Sequence, residues 1–275
     1  MKTNTVPFAS AAVIGAGRSG RAALRLLRAL GIKCRLLEKD PQKIPADFLA
    51  WLDQNAIPVM PGEHKPEYLQ GTDLIVPSPA AAKSAIIPLL SGSNAASSVE
   101  IMAESELAWR LLDGESVIGI TGTSGKTTTT SLCAAMLEQH GLCVFKGGNI
   151  GIPLSEYVLS RMQGAPKADV AVLELSSFQL QTCSTLHPNA GVLLNISENH
   201  LDFHADMQEY ISAKMQLFAC QSKEDTAILH PSLKHLVREY GMKAHVAFID
   251  PTARPFPNTR LIGQHNQINA SAAFC

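Results

Sequence analysis

Between Ser116 and Thr130 an apolar run (Val117, Ile118, Ile120) leads into Gly122-Thr123-Ser124-Gly125-Lys126-Thr127-Thr128, and a helical pattern follows. This succession leaves few folds open. A strand that turns through glycines directly into a helix points the first backbone N–H groups of that helix at open space, where they cradle phosphate oxygens. Lys126 adds a point charge for β- and γ-phosphates, and the Thr127 hydroxyl is suited to Mg²⁺. The spacing is shorter than the usual G-x-x-x-x-G-K-[ST], because position 120 is Ile and the first loop glycine is Gly122. A glycine turn before a helix also arises for packing alone. Here the preceding strand and following helix both stand where phosphate binding needs them. The chain is therefore read as binding a nucleoside triphosphate, with Gly122, Thr123, Ser124, Gly125, Lys126, Thr127, Thr128 and Thr129 around the phosphates.

A length of 275 residues is enough for about two domains. The apolar share of 46% with 17% charged residues is ordinary for a globular α/β protein. A net charge of -1 argues against a nucleic-acid-binding surface. The six cysteines are scattered without a C-x-x-C pair, as expected for reduced thiols in the cytoplasm. No apolar run approaches the roughly 18 residues that span a membrane. The N-terminal apolar residues break at Gly15-Ala16-Gly17-Arg18, so they read as a strand entering a turn and not as a signal peptide.

Phe8 to Ile14 is an apolar strand, and Ala22, Ala23, Leu26, Leu27 and Leu30 form the stripe of a helix that Gly31 ends. Cys34 to Leu37 and Leu74 to Val76 read as further strands. Residues 91–98, SGSNAASS, read as a loop or linker. A helix is expected over Ser105 to Leu112, and the domain boundary near 102, giving domains 1–102 and 103–275. In the second domain a helix runs from Lys126 to Gly141. Strands are expected at Leu142–Phe145, Asp169–Leu175 and Ala190–Ile196, a tight loop at Gly147–Gly151, and a helix over Asp206–Gln221. Asn189 reads as a turn former. Alternating strands and helices imply parallel sheets with helices on both faces.

Five further constellations bear on chemistry. Gly15-Ala16-Gly17-Arg18-Ser19-Gly20 fits G-x-G-x-x-G between a strand and a helix, with Glu38 and Asp40 about 20 residues on. That geometry serves NAD, any nucleotide diphosphate such as a UDP-sugar, or plain helix–strand packing. Glu174 ends a buried strand, where ligands sit in open α/β sheets, and is placed to hold Mg²⁺ opposite Thr127; a strand-end charge is the simpler reading. His200, beside Asp202, is a second metal-ligand candidate or a polar loop residue. Lys214 has Tyr210, Ile211, Leu217 and Phe218 at i−4, i−3, i+3 and i+4, which puts its amine on an apolar face. Burial favours the neutral, nucleophilic amine, which reacts with CO₂ to a carbamate; the alternative, favoured on sequence alone, is a lysine that snorkels to solvent. Asn266 and Asn269 are three apart and face one ligand, or Asn266 caps a helix.

Taken together, GTSGKTT, GGNIG, LELSSFQL, NISENHLD, the Lys214 helix and GQHNQINA resemble the Mur ligases of peptidoglycan synthesis, in that family's order and over nearly the whole chain. LELSSFQL with ELAWR is similar to the D-glutamate-adding branch. The resemblance implies an α/β chain with an N-terminal Rossmann-like UDP-binding domain and a P-loop ATPase central domain. It implies ATP-dependent phosphorylation of the L-alanine carboxylate of UDP-N-acetylmuramoyl-L-alanine, then attack by D-glutamate on the acyl phosphate. Under it Lys126 clamps the γ-phosphate, Thr127 and Glu174 hold one Mg²⁺, and His200 with N6-carboxylysine at Lys214 serves a second. Asn149 and Ser176 touch the UDP-sugar, and Asn266 and Asn269 lie near adenine. Gly15, Gly17, Arg18, Ser19, Gly20, Glu38 and Ser78 bind the UDP moiety. A monomer is expected.

Three departures from the family pattern stand out: Ser124 in place of Asn, Ser78-Pro79-Ala80 in place of Ser-Pro-Gly, and an end at Cys275 inside the helix that opens with Asn266. The last implies a fragment that lacks the family's C-terminal domain, with its amino-acid site, and that does not complete ligation alone. A dehydrogenase built on Gly15–Gly20 and a non-catalytic nucleotide-binding protein derived from a ligase are the rival readings.

Overall fold

Strands such as Val170–Glu174, buried at every position, have two apolar faces to cover, which a parallel sheet between helix layers does. The computed structural model describes residues 6–79, 86, 89–90, 99–198, 203–253 and 263–275. In chain order it forms β1 (Ser10–Ile14), α1 (Arg18–Ala29), β2 (Lys33–Glu38), α2 (Ala46–Gln54), β3 (Val59–Pro61), β4 (Leu74–Pro77), β5 (Glu100–Ile101) and α3 (Glu104–Trp109). There follow β6 (Ser116–Thr121), α4 (Lys126–Gln139), β7 (Val144–Gly148), α5 (Leu154–Met162), β8 (Val170–Glu174) and the short α6 (Ser177–Leu180). The chain continues through β9 (Ala190–Leu193), α7 (Met207–Met215), β10 (Thr226–Leu229), α8 (Lys234–Glu239), β11 (His245–Phe248) and α9 (Gln264–Phe274).

Two compact units result, Met1–Asp113 with Pro153–Ala165, and Gly114–Ile152 with Pro166–Cys275. The first holds a five-stranded sheet in the order β3-β2-β1-β4-β5, all parallel. Helix α1 buries Ala22, Ala23, Leu26 and Leu27 as its spacing requires, while Leu30 caps its end. The division falls after Asp113 and not near 102, because α3 packs on α1 and on α5. The stretch 91–98, read as a linker, lies outside the described residues.

The second unit holds a six-stranded parallel sheet in the order β11-β10-β9-β6-β8-β7. Its core joins Ile120, Val172, Val192, Leu194 and Ile228 to Cys133 and Ala134 of α4 and Ala272 of α9. The chain winds to one side of β6 through β7 and β8, then crosses to the other side with β9. Ligands settle outside the carboxyl ends of strands at such a reversal. Gly147 and Gly148, expected in a loop, are the last residues of β7 and pair with Leu173 and Glu174. A Cβ on Gly148 would lie 2.4 Å from the Glu174 carbonyl oxygen, so only glycine lets the strands close there. The helix expected over Asp206–Gln221 is shorter: Asp206 caps α7 by accepting the Glu209 N–H at 2.8 Å, and the α-helix gives way to a 3₁₀ turn at Gln216–Phe218. Asn189 does more than turn the chain, since its Oδ1 accepts the Val117 N–H at 2.9 Å and ties down the start of β6.

One polar contact stands out inside the first unit. The Glu104 carboxylate, 2% exposed, accepts the Ser155 N–H at 2.6 Å and so satisfies an open donor in the first turn of α5. Burial pushes its carboxyl up to about 7, against the lowering effect of the Ser155 bond. The folded state thus prefers the protonated acid, and stability is lost as pH rises from the ordinary carboxylate range to about 7. Glu104→Gln keeps an acceptor without the charge. We expect it to match the parent near pH 4 and to exceed it by up to about 3 kcal/mol at pH 8. Urea melts at the two pH values check this, and a variant weaker than the parent at pH 8 contradicts it.

Candidate nucleotide-binding site

The phosphate loop leaves β6 at Thr121 and enters α4 at Lys126. Gly125, with φ at +81°, is the N-cap, and it takes no side-chain cap. A Cβ there would also meet Asn269 Oδ1 at 2.3 Å, so conformation and space both require glycine. The first-turn N–H groups of α4 are left for a ligand. Lys126 folds back, its Nζ donating to the carbonyls of Gly122 and Thr123 at 2.9 Å each. Burial lowers the pKa of that amine, and the Glu174 charge opposes the shift. Thr128 is half-buried, and the Thr129 hydroxyl is spent within the helix on the Gly125 carbonyl at 3.0 Å.

Parallel register sets Ile120 and Gly148 on either side of Glu174. The carboxylate, 2% exposed, accepts from the Thr127 hydroxyl at 2.7 Å and from Asn149 Nδ2 at 2.9 Å. The Asn149 N–H donates to the Glu174 carbonyl at 2.8 Å. A carboxylate and a hydroxyl beside a phosphate cradle fit Mg²⁺, which prefers hard oxygens and keeps waters and phosphate oxygens for its other positions. Among the described residues no group of three or more His, Cys, Asp and Glu side chains converges for a metal. His200 lies outside the described residues.

Lys214 is 1% exposed, and the snorkelling expected from sequence does not occur. Its Nζ donates to the Gly122 carbonyl at 2.9 Å and sits 4.6 Å from the Tyr210 ring centroid. Burial first, and the charge of Lys126 second, bring its pKa down to about 7. Two lysines thus share one carbonyl of the phosphate loop, and the deeper one is poised between charged and neutral at neutral pH.

Other residues named from sequence fall less simply. Asn269, 6% exposed, lies against Gly125 and reaches Asn266 Oδ1 at 3.4 Å. Asn266 does not cap α9, which opens at Gln264 behind Gly263. Ser176 is the N-cap of α6 in a reciprocal capping box with Gln179, so its hydroxyl is engaged at 3.0 Å. Sequence reading passed over Tyr210, whose hydroxyl is 3.1 Å from Thr123 Oγ1, and Asn195, which binds the backbone of Thr123 and Ser124. Tyr210 entered the sequence reading only as an apolar neighbour of Lys214, and Asn195 only as the first residue of NISENHLD.

In the first unit the glycine turn lies at the carboxyl edge of β1. Gly17 is the exposed N-cap of α1, and Arg18, Ser19 and Gly20 form its first turn. A Cβ on Gly20 would fall 2.0 Å from the Gly15 carbonyl, which is the close helix–strand approach the fingerprint predicts. Glu38 accepts the Ala16 N–H at 2.7 Å and the Asp40 N–H at 3.0 Å, bracing the turn. The Ser78 N–H bonds the Ile14 carbonyl at 2.7 Å, which brings its side chain against Gly15.

Comparison with known proteins agrees with this arrangement. A profile of the Mur ligase middle domain matches residues 120–250. A UDP-N-acetylmuramoylalanine–D-glutamate ligase from Nitratidesulfovibrio vulgaris (Miyazaki F) is 53% identical over 95% of this chain and 59% of its own length. A ligase of the same name from Lawsonia intracellularis is 46% identical over 98% of this chain and again 59% of its own length. The chain therefore spans 59% of these curated relatives. Of solved structures, UDP-N-acetylmuramate:L-alanyl-γ-D-glutamyl-meso-diaminopimelate ligase from Neisseria meningitides superposes with a TM-score of 0.60 at 19% identity, covering 96% of this chain and 91% of that one. MurF ligase from Thermotoga maritima in complex with ADP gives 0.52 at 18% identity over 88% of this chain and 59% of that one. These two likenesses speak for the fold. The family profile on the phosphate-loop unit identifies residues 120–250 as a Mur ligase middle domain, and almost the whole chain is similar to ligases of that family.

Proposed function

We propose that this chain supplies the ATP and UDP-sugar sites of a cytoplasmic ligase that joins D-glutamate to UDP-N-acetylmuramoyl-L-alanine in peptidoglycan precursor synthesis. The observation that carries the reading is the convergence of Lys126, the Thr127–Glu174 pair and the buried Lys214 amine on one uncapped helix start. The L-alanine carboxylate attacks the γ-phosphorus of ATP, ADP leaves, and the D-glutamate amine then displaces phosphate from the acyl phosphate. Catalysis of this kind is mostly positioning and charge neutralisation. Lys126 leaves the loop carbonyls for the γ-phosphate, and the α4 N–H groups hold its neighbours. Thr127 and Glu174 hold Mg²⁺, which offsets phosphate charge when bound. Asn269 and Asn266 border the adenine. Asn149 and Ser176 lie toward the UDP-sugar, whose UDP moiety is held by Gly15, Gly17, Arg18, Ser19, Gly20, Glu38 and Ser78. The active form is a monomer.

Lys214 is assigned as N6-carboxylysine. Its neutral amine adds to CO₂ and releases a proton, which turns a buried cation beside Lys126 into an anion and converts repulsion into attraction. That carboxylate, with His200, serves a second cation.

Calorimetric titration of the purified chain tests the reading. A non-hydrolysable ATP analogue is expected to bind one to one and only with Mg²⁺, UDP-N-acetylmuramoyl-L-alanine to bind one to one, and NAD not at all. A ¹³C carbamate signal from labelled bicarbonate is expected and should vanish in Lys214→Ala. Binding of NAD in place of the other two nucleotides overturns the proposal.

A further inference from the structure

The backbone of the phosphate loop is held from outside its own strand–turn–helix unit. Asn195, two residues past the end of β9, points its side chain at the loop. Its Oδ1 accepts the Thr123 N–H at 3.1 Å and the Ser124 N–H at 2.9 Å. Its Nδ2 returns a bond to the Ser124 carbonyl at 3.1 Å, and its own carbonyl accepts the Thr123 N–H at 3.0 Å. A neutral carboxamide combines two lone pairs with a donor on one short stem, so a single side chain meets three backbone groups here. Two residues on, the Ser197 N–H donates to the Thr123 hydroxyl at 3.0 Å, and that hydroxyl lies 3.3 Å from the Ser197 carbonyl.

These bonds divide the loop in two. The N–H groups of Thr123 and Ser124 are spent on Asn195, whereas α4 behind Gly125 carries no side-chain cap. A loop rich in glycine loses much freedom on ordering, and a brace already present in the free protein removes that cost from the binding step.

We propose that Asn195 is a positioning residue for the nucleotide: it never touches the triphosphate, but it fixes the loop so that the N–H groups of the first turn of α4 face the phosphates. The proposal rests on the reading of this loop as the triphosphate site.

The test compares the parent with Asn195→Ala and Asn195→Gln, the latter keeping the amide but displacing it by one methylene. In Asn195→Ala the affinity for the Mg²⁺-bound ATP analogue should fall at least tenfold, while that for UDP-N-acetylmuramoyl-L-alanine stays within twofold. Amide exchange at Thr123 and Ser124, followed in the free protein, should speed up at least tenfold while β6 and β8 amides keep their protection. A general structural role would move both ligands and all these amides together. If Asn195→Ala does not fold, Asn195→Gln decides, with the same selective loss expected. Parent-like nucleotide affinity in either folded variant, or loss of both ligands in Asn195→Gln, overturns the assignment. Failure of the parent to bind the analogue would instead remove the function reading beneath it.

Discussion

Under the proposed function, Lys126→Met is expected to lower the rate of ATP-dependent phosphate release by about 10²- to 10³-fold, the range seen when one preorganised donor to a developing charge is removed. Methionine keeps the length and apolar stem of lysine, so the loss falls on the charge. Without nucleotide the amine is parked on the Gly122 and Thr123 carbonyls. Gly122 keeps a second donor in Lys214, so the loop of the variant retains part of its bonding. The substitution has a second expected result. The Lys126 charge contributes to the low pKa of Lys214. Removing it lets the Lys214 pKa rise from about 7, so less of the amine is neutral at pH 7 and carbamate formation weakens at a given bicarbonate concentration. Phosphate-release kinetics and the ¹³C carbamate signal read the two effects separately. A parent-like rate would remove Lys126 from the reaction.

The second large effect is expected at Glu174. Glu174→Gln should raise the Mg²⁺ concentration needed for binding of the ATP analogue by about 10- to 100-fold, the scale on which changes around a bound metal act. The carboxylate is buried and is shared by Thr127 and Asn149. A carboxamide cannot accept from both through two oxygens and loses the charge that a hard cation needs. Glutamine preserves volume between β6 and β7, so the fold should survive, and thermal melts would show it. An unchanged Mg²⁺ requirement would mean that the carboxylate only fastens Asn149 to the sheet.

The parts of the site legible in the sequence are those that chain-local chemistry dictates. Gly125-Lys126-Thr127 has to follow a strand and open a helix to work, and both patterns are local. Glu174 could be placed because an acid ending an all-apolar strand reaches the ligand edge of a parallel sheet. Lys214 showed through its helical spacing, although its burial needed the fold: only with α7 set against the phosphate loop does its amine find the Gly122 carbonyl. Asn195 opens the NISENHLD segment, but its hold on the phosphate loop was illegible for a related reason. Its role depends on β9 lying beside β6, and strand order leaves no trace in periodicity. Asn149 was read inside a tight loop and, through the resemblance, against the UDP-sugar, and its bond to Glu174 emerges only with the parallel pairing of β7 with β8. Ser176, which the resemblance sets against the UDP-sugar, also has its hydroxyl in a helix cap that the sequence reading did not foresee. The boundary near 102 missed α3 because apolar residues on a short helix do not reveal which sheet they will cover.

That helix and its partner α5 bear on how the protein is made. The first unit needs residues 153–165, which are separated from Asp113 by a stretch of the other unit. During synthesis the nascent chain therefore displays β1 to α3 while the Glu104 carboxylate still has no Ser155 amide to receive it. The five-stranded half can close only after Ala165 has cleared the ribosome, by which time the strand and helix flanking the phosphate loop have already emerged. The two halves must then mature as interleaved events and not one after the other. A clone ending at Asp113 should be prone to aggregation, whereas one ending just beyond Ala165 should protect the amides of β1 and β4.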